Sequence, residues 1–592
     1  MASTSSDPRR GRASRRAGGP MIERLLPIVG WLRRYDRADL PADLMAGLVT
    51  AVMLVPQGMA YAMLAGLPPV VGLYASTVPL LVYALFGSSR QLAVGPVAIV
   101  SLLTLAGVGA IAQPGSPEFV ALAAALMAMV GVIQAGLGLL RAGFVVNFLS
   151  HAVISGFTSA AALVIGLSQL KHLLGVDIPR EENVFVLLAH AAGQAAHTHG
   201  VTLAIGLGSV ATLMIGKRIA RRFPTPLLVV AAASALVWAF DLHEKGVAIV
   251  GDVPAGLPSL ALPQLGGGAL ASLLPVAATI AFVGFMESVA VAKAIAAKHR
   301  YKVDANRELV GLGVANVVGA IFRGYPVTGG FSRSAVNDQA GARTPLAGIV
   351  TAVLIGLTLL FLTDLFYFLP RAVLAAIVMV AVFGLIDLRE PRHLWRIKKI
   401  DAVTLLITFL ATLTLGVETG ILAGVAFSLL VFVARSAWPH TAELGWLPGD
   451  RVFRNVRRYP GARTWNDLYI TRPDASLYFA NMAALETQLN DAVADRHELR
   501  AIVLDFSAVN DVDGVAIDTL QDRMDAFAAQ GIDVHLAGVK GPVRDLLARA
   551  GWDERYPGRT AHLSVAHALA SLGVPLDPAD DASASAPAGA PA

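Results

Sequence analysis

The stretch Pro326-Val-Thr-Gly-Gly-Phe-Ser-Arg-Ser-Ala-Val-Asn337 decides the fold of this chain, because it places an arginine and a breakable glycine pair between two long apolar segments. Arginine is costly inside a membrane, so an arginine at this position indicates a functional site. A second interruption, Ala93-Val-Gly-Pro-Val-Ala98, lies in the first half of the apolar region. Paired broken helices in corresponding halves are typical of transporter binding sites. The two motifs together predict an anion transporter.

The composition places the whole chain in a membrane class. Of its 592 residues, 55% are hydrophobic and only 15% are charged, with a mean hydropathy of +0.62. These values exceed those of soluble globular proteins and predict an α-helical polytopic membrane protein in contact with the lipid bilayer.

Positive charge is concentrated at the N-terminus. Residues 1–40 hold nine Arg against four Asp or Glu, a balance equal to the net charge of +5 for the whole chain. The remainder is therefore neutral, so nucleic acid is not expected as a partner. We predict that residues 1–42 form a basic tail near anionic lipid and a segment, Met21 to Arg37, lying on the membrane surface.

Several classes of chemistry are excluded by what the sequence lacks. There are no cysteines, which excludes disulfides, thiolate catalysis and cysteine metal sites. No nucleophile–base pair, phosphate loop or metal-spaced His/Asp/Glu cluster is evident. We therefore expect no enzymatic activity, no cofactor and no metal.

Apolar runs predict about fourteen membrane spans within a transporter domain at 43–437, since a spanning helix needs about 20 residues. The full spans are predicted near 43–64, 69–86, 118–140, 148–168, 200–216, 225–240, 272–296, 308–322, 344–363, 371–387, 400–416 and 418–436. Two shorter segments, near 97–111 and 331–341, are the third and tenth in order and are predicted to be half-helices.

The distribution of basic residues supports this count. With both chain ends cytoplasmic, sixteen Lys and Arg fall in inside loops and five in outside loops. Seven spans per half is an odd number, so the two halves must have opposite orientations, which predicts a 7+7 inverted repeat. The half-helices then enter from opposite sides and meet near the midplane. Their N-termini carry unpaired N–H groups and partial positive charge, which can hold an anion.

Beyond residue 437 the sequence becomes more polar. A Pro/Gly/Arg-containing linker is predicted over 438–465. Strand patterns alternating with helix patterns then predict a soluble α/β domain over 466–575. The low-complexity tail 576–592 is predicted to be disordered.

Several motifs, in order, resemble the sulfate permease (SulP) family. They are Val55-Pro-Gln-Gly-Met-Ala-Tyr61, Gly66-Leu-Pro-Pro-Val-Val-Gly-Leu-Tyr74, Gly95-Pro-Val-Ala-Ile-Val-Ser101 and Gly329-Gly-Phe-Ser-Arg-Ser-Ala-Val-Asn337. Leu504-Asp-Phe-Ser-Ala-Val-Asn-Asp-Val-Asp513 resembles the STAS domain that follows the transporter domain in this family. The resemblance covers about residues 21–575.

The resemblance implies an architecture and a class of substrate. It implies a core of spans 1–4 and 8–11 that moves against a gate of spans 5–7 and 12–14. It also implies homodimers that transport sulfate, bicarbonate, chloride or dicarboxylates. Matching the motifs residue by residue places the anion among Gln57, Tyr61, Val97, Ala98, Phe331, Ser332 and Arg333.

Each polar residue of this predicted site also has a structural interpretation. Arg333 supplies either a fixed positive field for the anion or hydrogen bonds to carbonyls of neighbouring helices. Gln57 either donates to the anion or bonds another helix. Tyr61, one helical turn later, either lines the pocket or packs beside it.

Glu287, in Phe282-Val-Gly-Phe-Met-Glu-Ser-Val-Ala290, is the predicted proton-coupling residue. A carboxyl group in an apolar helix favours its neutral form, and protonation removes its repulsion of an incoming anion. The resemblance agrees, since a carboxylate in this span is associated with proton-coupled family members. The alternative is a salt bridge from Glu287 to Arg333 or Lys293 that only holds the core together.

These features predict a proton-coupled sulfate symporter of the inner (cytoplasmic) membrane, working by an elevator-type movement, with its N-terminus and STAS domain in the cytoplasm. Bicarbonate or C4-dicarboxylate transport and anion exchange remain open. A membrane sensor that signals through its STAS domain without transport is the alternative from a different class.

Overall fold

A computed structural model describes residues 27–576 except 34, 145–149, 180, 182, 220–224 and 263–266. The predicted basic tail up to residue 26 and the predicted disordered tail from 577 lie outside the described residues. The chain divides into two compact units, Met1–Ser428 and Leu429–Ala592.

The described part of the first unit consists of helices and one short pair of strands. Its first half contains α1 (Pro27–Leu32), α2 (Leu40–Leu64), α3 (Pro69–Phe86), β1 (Val94–Gly95), α4 (Ala98–Gly109), α5 (Pro117–Leu139), α6 (His151–Ser168), α7 (Leu170–Leu174), α8 (Val184–Gly193), α9 (Gly200–Ile219) and α10 (Thr225–Ala239). Its second half contains α11 (Gly267–Lys298), α12 (Ala305–Ile321), β2 (Thr328–Gly329), α13 (Phe331–Gln339), α14 (Leu346–Phe361), α15 (Arg371–Phe383), α16 (Glu390–Ile397) and α17 (Lys399–Leu415). Helix α18 (Val417–Ala437) crosses the boundary between the units.

Every predicted span overlaps one of these helices, and the two predicted short segments correspond to α4 and α13. Six helical stretches among the described residues are long and apolar enough to cross a membrane. They are Arg37–Leu64, Pro69–Phe86, Pro117–Leu139, His151–Leu174, Leu270–Lys298 and Thr419–Ala437. The short helices α7, α8 and α16 were not predicted.

Glycines allow the helices around the half-helices to pack closely. A Cβ added to Gly72 of α3 would lie 2.0 Å from the backbone oxygen of Gly58 on α2. A Cβ added to Gly313 of α12 would lie 2.4 Å from the backbone nitrogen of Ala135 on α5. Small residues at helix contacts of this kind let backbones approach inside a membrane. They bring α2, α3, α5 and α12 together around the half-helices.

The second unit is built on a five-stranded sheet in the order β4-β3-β5-β6-β7. Its strands are β3 (Thr441–Leu447), β4 (Val452–Asn455), β5 (Leu468–Pro473), β6 (Ala501–Asp505) and β7 (Asp533–Ala537), and its helices are α19 (Met482–Asp495), α20 (Gly514–Ala528), α21 (Gly541–Arg549), α22 (Trp552–Arg555) and α23 (Val565–Ser571). Strands β5, β6 and β7 are parallel, whereas β3 pairs antiparallel with both β4 and β5.

The segment 438–465, predicted as a linker, differs from that expectation because it contributes β3 and β4 to the sheet. Ala442, Leu444 and Trp446 alternate along β3 and are all buried, as a strand with one covered face requires. The Pro, Gly and Arg residues that suggested a linker lie mostly in the turns beside these strands.

The sheet of the second unit has apolar residues on both faces. Ile502 and Leu504 of β6 lie in one buried cluster, and Ala501 and Val503 lie in another. This alternation matches a parallel strand covered on both sides. Asp513 caps α20, since its carboxylate accepts a hydrogen bond from the Ala516 backbone N–H at 2.8 Å.

Candidate functional site

A two-residue antiparallel ladder joins the two half-helices. Val94 pairs with Gly329 and Gly95 with Thr328, and the N-termini of α4 and α13 follow directly. The N-cap residues are Val97 and Gly330, and neither helix has a side-chain cap. The first N–H groups of an uncapped helix have no partner within the helix, and the helix end carries partial positive charge. Two such ends therefore lie side by side.

Helix α11 fixes the strand that leads into α13. The Ser288 hydroxyl accepts a hydrogen bond from the Gly329 backbone N–H at 2.8 Å and bonds the Thr328 hydroxyl at 2.7 Å. Thr328 donates in turn to the Gly284 carbonyl at 2.5 Å. These bonds hold β2 against α11 one residue after Glu287, so they connect the predicted proton site with the start of α13.

A buried amide on α12 holds the chain just before β2. Asn316 Oδ1 accepts from the Val327 N–H at 2.9 Å, and its Nδ2 donates to the Val327 carbonyl at 3.1 Å. The same Nδ2 lies 3.1 Å from Gln134 Oε1 on α5, and Gln134 donates to the Ala281 carbonyl on α11 at 3.1 Å. One network therefore ties α5, α11 and α12 to the ladder.

Arg333 lies in the first turn of α13 and is only 1% exposed. Its Nη1 donates to the Pro96 carbonyl, whereas Nε and Nη2 are buried without a partner among the described residues. A Cβ added to Gly330 would lie 2.9 Å from Nη2, so the guanidinium position depends on this glycine. The structure thus shows one carbonyl bond, as the structural interpretation expected, and two donors that remain unused.

Gln57 and Tyr61 lie one turn apart on α2 and are each 6% exposed. Gln57 Nε2 donates to the Tyr61 hydroxyl at 3.1 Å, and Gln57 Oε1 is buried without a partner. The Thr50 hydroxyl on the same helix donates to Asn337 Oδ1 of α13 at 3.4 Å, which places α2 against the second half-helix. The amide therefore has unused hydrogen-bonding capacity at this position.

Glu287 also has an unsatisfied group, because its Oε2 is buried without a hydrogen-bond partner. Its charge interacts with that of Arg333, but no ion pair joins Glu287 to Arg333 or Lys293 in the described part of the chain. The direct salt bridge considered from the sequence is therefore not seen. The Glu287 carboxyl group therefore feels the charge of Arg333 without forming a direct ion pair with it.

The remaining four predicted site residues are the first residues of the two half-helices. Val97 and Ala98 are buried, at 6% and 4% exposure. Phe331 is 57% exposed, and Ser332 is exposed as well. The structure therefore brings the α2, α4, α11 and α13 residues into one region, with the α13 end more open than the α4 end.

Two buried acids that the sequence analysis missed brace this region. Glu308, at 0% exposure, accepts hydrogen bonds from Tyr83, Ser88 and Ser89. Asp43, also at 0%, accepts from the backbone and hydroxyl of Thr344. Both lie in the first turn of a helix, where an acid is expected to interact with its own N-terminus. Their distant partners left no signal in the local sequence.

Comparison with known proteins gives two family matches. The model of the sulfate permease family matches residues 40–408, and the STAS domain model matches residues 459–568. The STAS match begins at residue 459, before the predicted boundary at 466 and after the end of β4 at Asn455.

Individual relatives cover most of the chain. "Sulfate transporter 4.1, chloroplastic" of Arabidopsis thaliana is 41% identical, over 90% of this chain and 80% of its own length. "Probable sulfate transporter 4.2" of the same plant is 42% identical, over 90% and 81%. The murine Solute Carrier 26 family member A9 anion transporter, in its inward-facing state, superposes with a TM-score of 0.87 at 27% identity, over 95% of this chain and 96% of that one. The chain therefore belongs to the sulfate permease family and carries the family's transporter fold together with a C-terminal STAS domain.

Proposed function

We propose that this protein is a secondary active anion transporter, and specifically a proton-coupled sulfate symporter. The observation that carries the proposal is the group of unused donors at the paired half-helices, namely Arg333 Nε and Nη2 and the two uncapped N-termini. The naming of the plant relatives as sulfate transporters supports the choice of anion.

The chemistry of the site suits an oxyanion. Sulfate has acceptor oxygens and no donors, so it can accept hydrogen bonds from the free N–H groups of Arg333 and of the two helix N-termini. Arg333 keeps its positive charge under ordinary conditions. Gln57 can turn its amide to donate to the anion, at the cost of its bond to Tyr61. The open side at Phe331 and Ser332 gives the anion a route to the bound position.

Proton coupling follows from the place of Glu287. With an empty site, the unpaired carboxylate partly offsets the field of Arg333, which weakens attraction for an anion. Protonation removes one negative charge and leaves the arginine field for the incoming dianion, so proton and anion favour each other's binding. Through Ser288, the same helix segment holds the strand before α13.

Alternating access is assigned to an elevator-type movement. The core consists of α2–α5 and α11–α14, and the gate of α6, α9, α10, α15, α17 and α18. Close glycine contacts within each group support this division. Gly313 packs on α5 in the core, and a Cβ added to Gly156 of α6 would lie 2.4 Å from the Leu405 oxygen of α17 in the gate. The core would carry the anion site past the gate as one body.

We place the transporter in the cytoplasmic membrane as a homodimer, with the N-terminus and the STAS domain in the cytoplasm. The concentration of Lys and Arg in the predicted inside loops supports this orientation. The dimer follows from the resemblance to the family, and crosslinking of the protein in native membranes tests it.

Uptake of radiolabelled sulfate into proteoliposomes tests the proposed function. We expect an inward proton gradient to drive accumulation, and an uncoupler to abolish it. Unlabelled bicarbonate, fumarate and succinate serve as competitors. Accumulation of a different anion would overturn the assignment of sulfate, and sulfate flux that needs only a counter-anion would replace symport by exchange. Absence of any anion flux would favour the sensor.

A further inference from the structure

A cavity lies in the first unit, away from the ladder. It has a volume of about 710 Å³ and is lined by α1, by the turn after α3 and by the loop that follows α13. Asp338, near the end of α13, lies on its wall, seven residues or about 10 Å along the helix from Phe331. All of the lining residues belong to the core or to the segment before it, so the cavity is not the space between core and gate.

The wall of the cavity carries three arginines and two acids, and two further acids, Asp43 and Glu308, bond to a wall residue and to the turn beside Arg90. Asp39 is paired with Arg343 at 2.6 Å, and Asp338 is paired with Lys298 at 2.6 Å and with His299 at 2.5 Å. The two acids of the wall are therefore already neutralised.

Two arginines of the wall lack a close acidic partner. Arg90 lies over the ring of Tyr301 at 4.9 Å and makes no ion pair within the described residues. Arg307 approaches Asp304 only at 3.9 Å, the outer limit of such a contact. The predicted topology places both on the cytoplasmic side. Two guanidinium groups whose paired N–H donors are available can bind a phosphate or carboxylate dianion through two parallel hydrogen bonds each.

The N-terminal helix supplies an aromatic wall with an unused donor. Trp31 and Tyr35 line the cavity, and the indole N–H of Trp31 is buried without a hydrogen-bond partner. A buried indole N–H normally has a partner, so a turn of the Trp31 ring toward the cavity would give this donor an acceptor. The volume lies within the range of organic-ligand pockets, about 300–1,000 Å³, and far exceeds the need of a bare sulfate.

We propose that this cavity binds a phosphate-bearing organic anion, with Arg90 and Arg307 holding the phosphate and Trp31 contacting it through its indole N–H. The same chemistry is offered by a soluble nucleotide and by the headgroup of an anionic phospholipid. This site is separate from the transport site and does not depend on which anion is carried.

Occupation of the cavity would connect segments that meet around the transport site. Arg307 precedes Glu308, which holds the turn before β1, and Arg90 belongs to that turn. A ligand bound to both arginines and to α1 would fasten the surface helix to the core. The ligand would thereby regulate the movement of the core without contacting the carried anion.

Binding to the full-length protein tests the proposal with two probes. ATP binding is measured in nanodiscs of neutral phosphatidylcholine, and retention of phosphatidylglycerol is measured by native mass spectrometry after delipidation. The test variant is Arg90→Gln/Arg307→Gln. The matched control is Arg392→Gln/Arg396→Gln, which removes the same charge from exposed positions on α16 that do not line the cavity. Trp31→Phe removes the indole N–H and keeps an aromatic ring.

We expect one probe to bind the wild type and the control equally, and to bind the double variant at least about tenfold more weakly, since each lost charge-assisted contact weakens binding several-fold or more. Trp31→Phe should weaken binding by a smaller factor. Loss of ATP binding would identify a soluble ligand, and loss of phosphatidylglycerol retention a lipid headgroup. The proposal is overturned if neither probe binds, or if the test and control variants behave alike. A single symmetric peak in size-exclusion chromatography for every variant shows that the protein is folded.

Discussion

Removal of the Glu308 carboxylate is expected to destabilise the core of the transporter. The two carboxylate oxygens accept from Tyr83 Oη at 2.7 Å, Ser88 N at 2.8 Å, Ser88 Oγ at 2.6 Å and Ser89 N at 3.0 Å. They join the end of α3 and the turn before β1 to the start of α12, across more than 200 residues of sequence.

The cost of Glu308→Ala can be worked from the donors that it leaves behind. Tyr83 and Ser89 are each 2% exposed, so water cannot replace the carboxylate for their two donors. An unsatisfied buried donor costs about 1–3 kcal/mol, which gives about 2–6 kcal/mol for the pair. Glu308→Gln keeps one acceptor oxygen and an amide that can donate to the Tyr83 hydroxyl. Its cost should be smaller, about 1–2 kcal/mol, from the loss of charge-assisted bonds.

Thermal inactivation in detergent, followed by recovery of the folded peak in size-exclusion chromatography, measures these changes. Glu118→Ala is the control, because Glu118 is an exposed acid in the first turn of α5. We expect the midpoint to fall most for Glu308→Ala, less for Glu308→Gln and little for the control. Equal midpoints for Glu308→Ala and Glu118→Ala would refute the assignment of Glu308 as the brace of this turn.

Three further predictions concern the transport site and the second unit. Gly330→Ala should slow sulfate uptake, because its Cβ would lie 2.9 Å from Arg333 Nη2; Gly136→Ala, where no atom lies within 4 Å, should not. Arg333→Gln should raise the KM for sulfate about tenfold or more and Arg333→Lys less, since lysine keeps the charge; equal KM values for both variants would exclude the charge as the cause. Burial, followed by the positive charges of neighbouring groups, lowers the pKa of His535 from 6.5 to about 4. The unfolded chain therefore binds this proton more readily, and the stability of the second unit falls as the pH falls from about 6.5 to 4. Hydrogen exchange of Asp533–Ala537, corrected for intrinsic rates, should show less protection at the lower pH. His535→Gln should reduce that loss of protection.

The helices of the first unit could be predicted because a membrane imposes one length on apolar segments. Hydropathy alone predicts membrane spans at runs such as 69–86 and 118–140, and the structure has α3 and α5 there. The half-helices could be predicted from Pro96 and the Gly329–Gly330 pair, which interrupt apolar sequence. The inverted symmetry of the two halves predicted that the half-helices meet, whereas the β1–β2 ladder that joins them was not predicted.

Long-range polar contacts could not be predicted in the same way. Glu308 and Asp43 each satisfy donors more than 200 residues away, and nothing near either residue identifies those donors. The strand β3 was mistaken for linker because the Pro, Gly and Arg residues around it are typical of a linker. What makes this segment a strand is its pairing with β5, which the local sequence does not show. The unused donors of Arg333 likewise emerged only from the three-dimensional contacts.

The central claim is that Glu287 couples the proton to the anion, and the transport cycle of Glu287→Gln tests it most directly. Glutamine has nearly the shape of the protonated acid and cannot exchange a proton. Labelled sulfate is followed in proteoliposomes under two conditions, an inward proton gradient with no internal sulfate, and no gradient with unlabelled sulfate inside. We predict that Glu287→Gln loses accumulation driven by the gradient and keeps exchange of sulfate for sulfate. Accumulation equal to that of the wild type would contradict the claim and remove Glu287 from the coupling mechanism.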